Sequence, residues 1–291
     1  MRGVAEAHGA ITFVTALPTG TGAAAAISLS TRVTAEVERP PPGRPSDVRA
    51  PDRPGTPLLA ACARAALAHR APTEVWSVEL RVESEIPIGR GLKSSSSVGG
   101  ATVLAVAEAL GRPIPRLEAA RISSRVAREI GLSATGAFDD ACAALLGGCV
   151  VTDNSSDRIL RQPPLPAGMG VALWIPSHEH TASPGWLDRF RARAADAEAA
   201  VASALDGDLI EAMRRNTSLV EERMGYEYRE LHRRGSALGA VVSGVSGLGP
   251  TVAFLAPTAE LSRLYEGLPR EGAEVRLARL EPPGRSAVEA S

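Results

Sequence analysis

The chain has 291 residues, 44% of them hydrophobic and 22% charged, with 32 Lys+Arg against 33 Asp+Glu; at about 300 residues a chain buries roughly 75% of its unfolded surface, which allows a sizeable core and about two domains. A net charge of −1 supplies no general field for nucleic acid or an anionic membrane, and no window approaches the ~20 uninterrupted apolar residues of a spanning helix. The opening MRGVAEAHGAITF lacks the basic end and apolar run of a secretory signal, so the expected location is the cytoplasm and the expected partners are small molecules, with no nucleic acid and no membrane.

Residues 11–16 and 30–37 read as strands bracketing a glycine-rich turn at 19–22, with Thr31, Val33, Ala35 and Val37 sharing one face. Residues 40–57 hold seven prolines and read as an exposed loop, after which Thr56 caps a helix with Pro57 in its first turn. Residues 75–83 alternate Val78, Leu80 and Val82 with charged neighbours, the pattern of a half-buried strand. Cys62, Cys142 and Cys149 have no CxxC spacing and read as buried reduced thiols. Residues 86–97 are expected to form a loop, 98–110 and 116–130 helices, and 149–152 a strand. A break in periodicity at 155–168 is the expected boundary between two domains, 1–160 and 161–291. Beyond it come a strand at 170–175, helices at 185–205, 208–224 and 228–238, and a glycine-rich turn leading into a strand ending at 254. A helix at 258–268 and a strand at 274–280 complete the set. Strands and helices mix without strict βαβ alternation, which indicates α+β.

Three segments can carry chemistry. The strongest is PIGRGLKSSSS, residues 87–97, between a strand and a helix. Its Lys93 is the sole lysine of the chain; the other 31 basic residues are arginine. A helix start offers unpaired N–H groups and a partial positive charge, and both favour a phosphate. Glycines let the anion approach the backbone, serines add donors, and Lys93 adds a compact full charge. The same residues also suit an ordinary serine-capped helix. This is no Walker A loop, because Leu92 stands where GxxxxGK[ST] has its second glycine, and GxGxxG is absent.

The second segment, 135–148, places Asp139 and Asp140 between Gly136 and Gly147-Gly148. Such a carboxylate can orient a hydroxyl, accept its proton or hold Mg²⁺; an acid pair at a helix start also suits the dipole. The third, SGVSGLGP at 243–250, reads in isolation as a hairpin turn. His178-x-His180 has no third ligand in Cys/His spacing and is not read as a metal site.

The order of these segments resembles the GHMP kinases, and most of all their archaeal-type shikimate kinases. The superfamily pattern PxxxGLxSS reads PIGRGLKSSSS here, and TGAFDDACAALLGGCVVTDN is similar to the same subgroup. TGTGAAAAISL and SGVSGLGPTVAF resemble the first and third motifs. The resemblance implies an α+β, two-lobed GHMP kinase fold, with an N-terminal lobe similar to domain 2 of ribosomal protein S5 and a ferredoxin-like C-terminal lobe. It implies phosphorylation of shikimate by ATP with Mg²⁺. The phosphates would lie on the helix beginning at Ser94, Ser95, Ser96 and Ser97, in the loop of Pro87, Ile88, Gly89, Arg90, Gly91, Leu92 and Lys93. Mg²⁺ would be held by a serine such as Ser95 and by Glu129, 11 residues before Asp140. Asp140 would be the base or hydroxyl orienter, with Asp139 as its substitute and Lys93 beside them. Homoserine- or mevalonate-type acceptors, or a silent nucleotide-binding relative, are the alternatives.

Overall fold

The computed structural model describes residues 1–51, 57–178 and 186–284. Strands β1 (Arg2–Val14) and β2 (Thr21–Glu38) form a long antiparallel hairpin, Arg2 opposite Glu36 and Val14 opposite Ala23. β1 begins nine residues before the expected 11–16 and stops at Val14, while β2 begins nine residues before the expected 30–37 and takes in the end of the expected turn at 19–22. The small, continuous apolar stretch that hides period-2 alternation is buried on both faces. Ala10 and Ala24 point into one core, Ile11, Phe13, Ala23 and Ala25 into another.

The first sheet continues with β3 (Asp47–Arg49), β4 (Ser77–Ser84), β5 (Cys149–Asp153) and β6 (Arg158–Arg161) in the order β3-β4-β2-β5-β6, with β1 beside β2. β3 lies in the proline-rich segment expected to be loop, and pairs parallel to β4. β6 lies in the segment expected to be a boundary, and pairs with β5. Neither shows a pattern of its own, since a three- or four-residue edge strand is made by its neighbour. Helices α1 (Pro57–Arg70), α2 (Ser94–Ala109), α3 (Arg116–Glu129) and α4 (Phe138–Leu146) share a core with this sheet. Thr56, the expected cap of α1, lies outside the described residues. Cys62, Cys142 and Cys149 are free and buried, and burial pushes the Cys62 thiol up to about 12.

The second sheet has the order β10-β7-β9-β8, made by β7 (Met169–Pro176), β8 (Val242–Val245), β9 (Val252–Pro257) and β10 (Ala273–Arg279), all antiparallel. Among the described residues four helices lie between β7 and β8: α5 (Trp186–Arg191), α6 (Ala194–Asp206), α7 (Leu209–Met224) and α8 (Arg229–Ala237). The expected helix at 185–205 is thus interrupted between α5 and α6. α9 (Leu261–Gly267) joins β9 to β10, completing a ferredoxin-like βαββαβ unit. β1 and β2 supply Ile11, Phe13, Ala25 and Ile27 to the core that also holds Val171 and Leu173 of β7 and Met213 of α7. The hairpin therefore seats the two sheets' layers against each other.

Candidate active site

The loop between β4 and α2 is shaped by left-handed residues. Gly91 has φ +79°, and a Cβ there would come within 2.1 Å of the Ser246 carbonyl oxygen. Lys93, at the N-cap, also lies in the left-handed region with φ 69°, which costs an L-residue roughly 1–2 kcal/mol. The first helical bond runs from the Ser97 N–H to the Lys93 carbonyl (3.0 Å), and no side chain caps α2. The N–H groups ahead of Ser97 are therefore left at the helix start, where they favour an anion.

The β8–β9 turn is stitched to this loop. Ser246 Oγ donates to the Gly91 carbonyl (2.8 Å) and accepts from the Thr12 N–H (3.3 Å), while the Gly247 N–H donates to Thr12 Oγ1 (2.9 Å). A Cβ at Gly247 would stand 2.9 Å from Lys93 Nζ. The segment is a hairpin turn, as its sequence suggests, and also one wall of the cleft.

The first turn of α4 supplies the acids. Lys93 Nζ lies 3.2 Å from Asp140 Oδ1, with the two side chains 9% and 13% exposed. Burial pushes the Asp140 carboxyl up to about 7; the Lys93 ammonium pulls it down and the Asp139 charge adds to the rise. Asp139, at the preceding position, is bonded to Asn154 instead. Its Oδ1 accepts from Asn154 Nδ2 (2.8 Å), and its N–H donates to Asn154 Oδ1 (3.2 Å).

Two cavities meet at the Lys93–Asp140 pair. One, of about 380 Å³, is lined by Pro87, Gly89, Ser94–Ser96, Ser124, Leu132 and Gly247–Gly249. The other, of about 220 Å³, is lined by Thr12, Thr15, Ser133, Thr135 and both acids. Lys93 and Asp140 line both. From the other lobe, Asn216 Oδ1 on α7 accepts from the Thr15 N–H (2.8 Å), fixing one wall of the smaller cavity. A cation and a carboxylate of raised pKa between two cavities can serve transfer of an anionic group from one occupant to a hydroxyl of the other.

The GHMP kinases N-terminal domain matches residues 58–148. A shikimate kinase of Methanothrix thermoacetophila is 38% identical over 257 residues, 88% of this chain and 85% of that protein. Those of Methanosarcina mazei and Archaeoglobus fulgidus are 34% and 36% identical, over 95% and 90% of this chain and 93% and 87% of theirs. The chain belongs to the GHMP kinases, among the archaeal-type shikimate kinases. Solved structures of Methanococcus jannaschii mevalonate kinase (TM-score 0.72, 15% identity, 96% of this chain and 98% of that one) and Lactococcus lactis galactokinase (0.73, 14%, 97% and 94%) share the fold. The two-lobed GHMP kinase fold expected from the motifs is therefore the fold observed. As a member of this kinase family the chain is a phosphotransferase, with ATP as the donor that membership implies.

Within the GHMP kinase motif, Pro87, Gly89, Gly91, Leu92, Lys93, Ser94, Ser95 and Ser96 line the larger cavity. Three neighbours do not. Ile88 is 57% exposed; Arg90 reaches across to the Ser177 carbonyl (2.6 Å); Ser97 is buried, its hydroxyl donating to the Ala7 carbonyl (3.2 Å). The serines expected in a loop form the first turn of α2. Glu129 is not brought to the cleft: its side chain is 64% exposed and pairs with Arg125 along α3 (3.9 Å). α3 buries Ile122, Ser123 and Val126 and turns Glu129 outward. His178 lies just past β7, and His180 falls outside the described residues. The sequence by itself does not single out Thr12, Thr15, Asn154 and Asn216. Asn154 had a signal, since it ends the subgroup-like TGAFDDACAALLGGCVVTDN; the others have none without the fold.

Proposed function

We propose that this protein transfers the γ-phosphoryl group of ATP to the 3-hydroxyl of shikimate, forming ADP and shikimate 3-phosphate in the cytoplasm. The observation that carries the reading is the buried Lys93–Asp140 pair shared by two cavities at the start of α2. In this reading residues 1–160 form the nucleotide-binding lobe and 161–291 the C-terminal lobe. ATP phosphates take the N–H groups and hydroxyls of Ser94, Ser95 and Ser96. The acceptor takes the smaller cavity, whose threonine and serine hydroxyls suit a small polyhydroxylated carboxylate.

Asp140 orients the attacking hydroxyl and takes its proton as the new O–P bond forms and the bond to the β-phosphate oxygen breaks. Lys93 balances charge on the transferred group; phosphoryl transfer through a loose transition state depends mainly on such positioning and neutralisation. Mg²⁺ takes oxygen donors, usually one or two carboxylates plus substrate phosphates and waters, and phosphate-binding loops add a Ser or Thr hydroxyl. Ser95, at the start of α2, would supply such a hydroxyl, and the ion would neutralise phosphate charge there. Glu129, turned to the surface, is not part of the proposed set.

ADP release with shikimate, homoserine and mevalonate at equal concentration tests the reading. Shikimate is expected to give the fastest turnover; faster release with either rival acceptor refutes the substrate while leaving the family intact.

A further inference from the structure

We propose that Asn154 is a positioning residue that divides the labour of the two adjacent acids, pinning Asp139 as an internal anchor so that Asp140 alone is directed at Lys93 and the seam between the two cavities. The assignment rests on the kinase reading above and adds to it a residue outside the cleft.

Asn154 follows β5 directly and is 1% exposed. Its Oδ1 accepts from the Asp139 N–H (3.2 Å) and from Thr152 Oγ1 (2.7 Å). Its Nδ2 donates to Asp139 Oδ1 (2.8 Å) and Thr135 Oγ1 (3.4 Å). The residue thus offers an acceptor to the backbone of Asp139 and a donor to its carboxylate at once. Among side chains of this length only the amide does both at neutral pH; aspartate would turn an acceptor against an acceptor.

The Asn154 backbone is fixed as well. Its N–H donates to the Gly20 carbonyl (2.9 Å), and its carbonyl accepts from Arg128 Nη1 (3.2 Å). Arg128 also donates to the Thr135 carbonyl (3.3 Å) and pairs in bidentate fashion with Asp157 (3.0 and 2.7 Å). It therefore ties the approach to α4 to the turn after β5. Asp139 Oδ2 has no room to swing on the other side, because a Cβ at Gly22 would come within 2.3 Å of it. Successive helix positions point about 100° apart. With Asp139 held against β2 and Asn154, Asp140 is directed at Lys93 and the seam between the cavities.

The test is a reciprocal exchange. Asn154→Asp sets carboxylate against carboxylate; the double variant Asp139→Asn/Asn154→Asp restores one amide and one carboxylate with the bond reversed, and keeps an acceptor for the residue 139 N–H and for Thr152. Turnover per folded molecule is expected to fall by at least ~10-fold in the single variant, with KM for ATP within about twofold, and to return to within about threefold in the double variant. Asn154→Ser, which frees Asp139 without adding a charge, is expected to lower turnover in the same selective way and serves if the Asp variant does not fold. Wild-type turnover per folded molecule in the single variants overturns the assignment, because stability alone was then at stake. An inactive but folded double variant also overturns it, since the Asp139 carboxylate itself would then be needed. Wild-type protein inactive with every acceptor removes the kinase reading along with this one, whereas active wild type with insensitive Asn154 variants removes only this one.

Discussion

Asp140→Asn keeps the shape of the side chain and removes its charge and its capacity to take a proton. General-base catalysis contributes typically ~10²–10⁴-fold, so turnover with shikimate should fall by about that factor while KM for ATP changes little. A second consequence follows from burial. Folding raises the Asp140 carboxyl from 3.8 to about 7, so the native state prefers its protonated form. That contribution is complete below about pH 4 and is lost as pH rises through 7, to a limit of roughly 4 kcal/mol. Wild-type melting temperature should therefore decline by several degrees across this interval, and that part of the decline should vanish in Asp140→Asn. The acid limb of kcat/KM in the wild type should sit near 7 rather than near 4. The measurements are ADP release and calorimetric melting between pH 4 and 8 on both proteins. If the acid only favours a helix start, the variant loses about 0.3–1 kcal/mol of stability and keeps near-normal turnover. That result would refute the base and leave catalysis to Lys93, the helix start and positioning.

Lys93→Ala should lower turnover more than it weakens shikimate binding, and Lys93→Arg should not restore it, because a planar guanidinium has no room against Gly247, whose added Cβ would stand 2.9 Å from Nζ. Arg-variant kinetics equal to wild type would contradict the crowding. Gly91→Ala should raise KM for ATP and cost at least ~1–2 kcal/mol of stability from the left-handed backbone alone, with the 2.1 Å approach to the Ser246 carbonyl oxygen forcing the loop from the β8–β9 turn. An unchanged melting temperature and KM would show that this packing does not shape the nucleotide site.

Much was legible in the sequence because it depends on residues near one another in the chain. The glycine loop before the serines, the alternation in β4, the acid pair ahead of the Gly-Gly turn and the glycine turn at 246–249 are local patterns, and each lies where those patterns placed it. The tertiary structure decided which way side chains face. Glu129 has the right spacing from Asp140, yet the apolar stripe of α3 must meet the core, and this turns the carboxylate to solvent. Ser97 differs from its three serine neighbours only in its angle on α2, which aims its hydroxyl at β1. Short strands β3 and β6 exist because a neighbour's open edge pairs them, a fact no window along the chain contains. The division between Asp139 and Asp140 is of the same kind. Two identical side chains at adjacent positions became different when Asn154, 15 residues on, closed over one and Lys93 over the other.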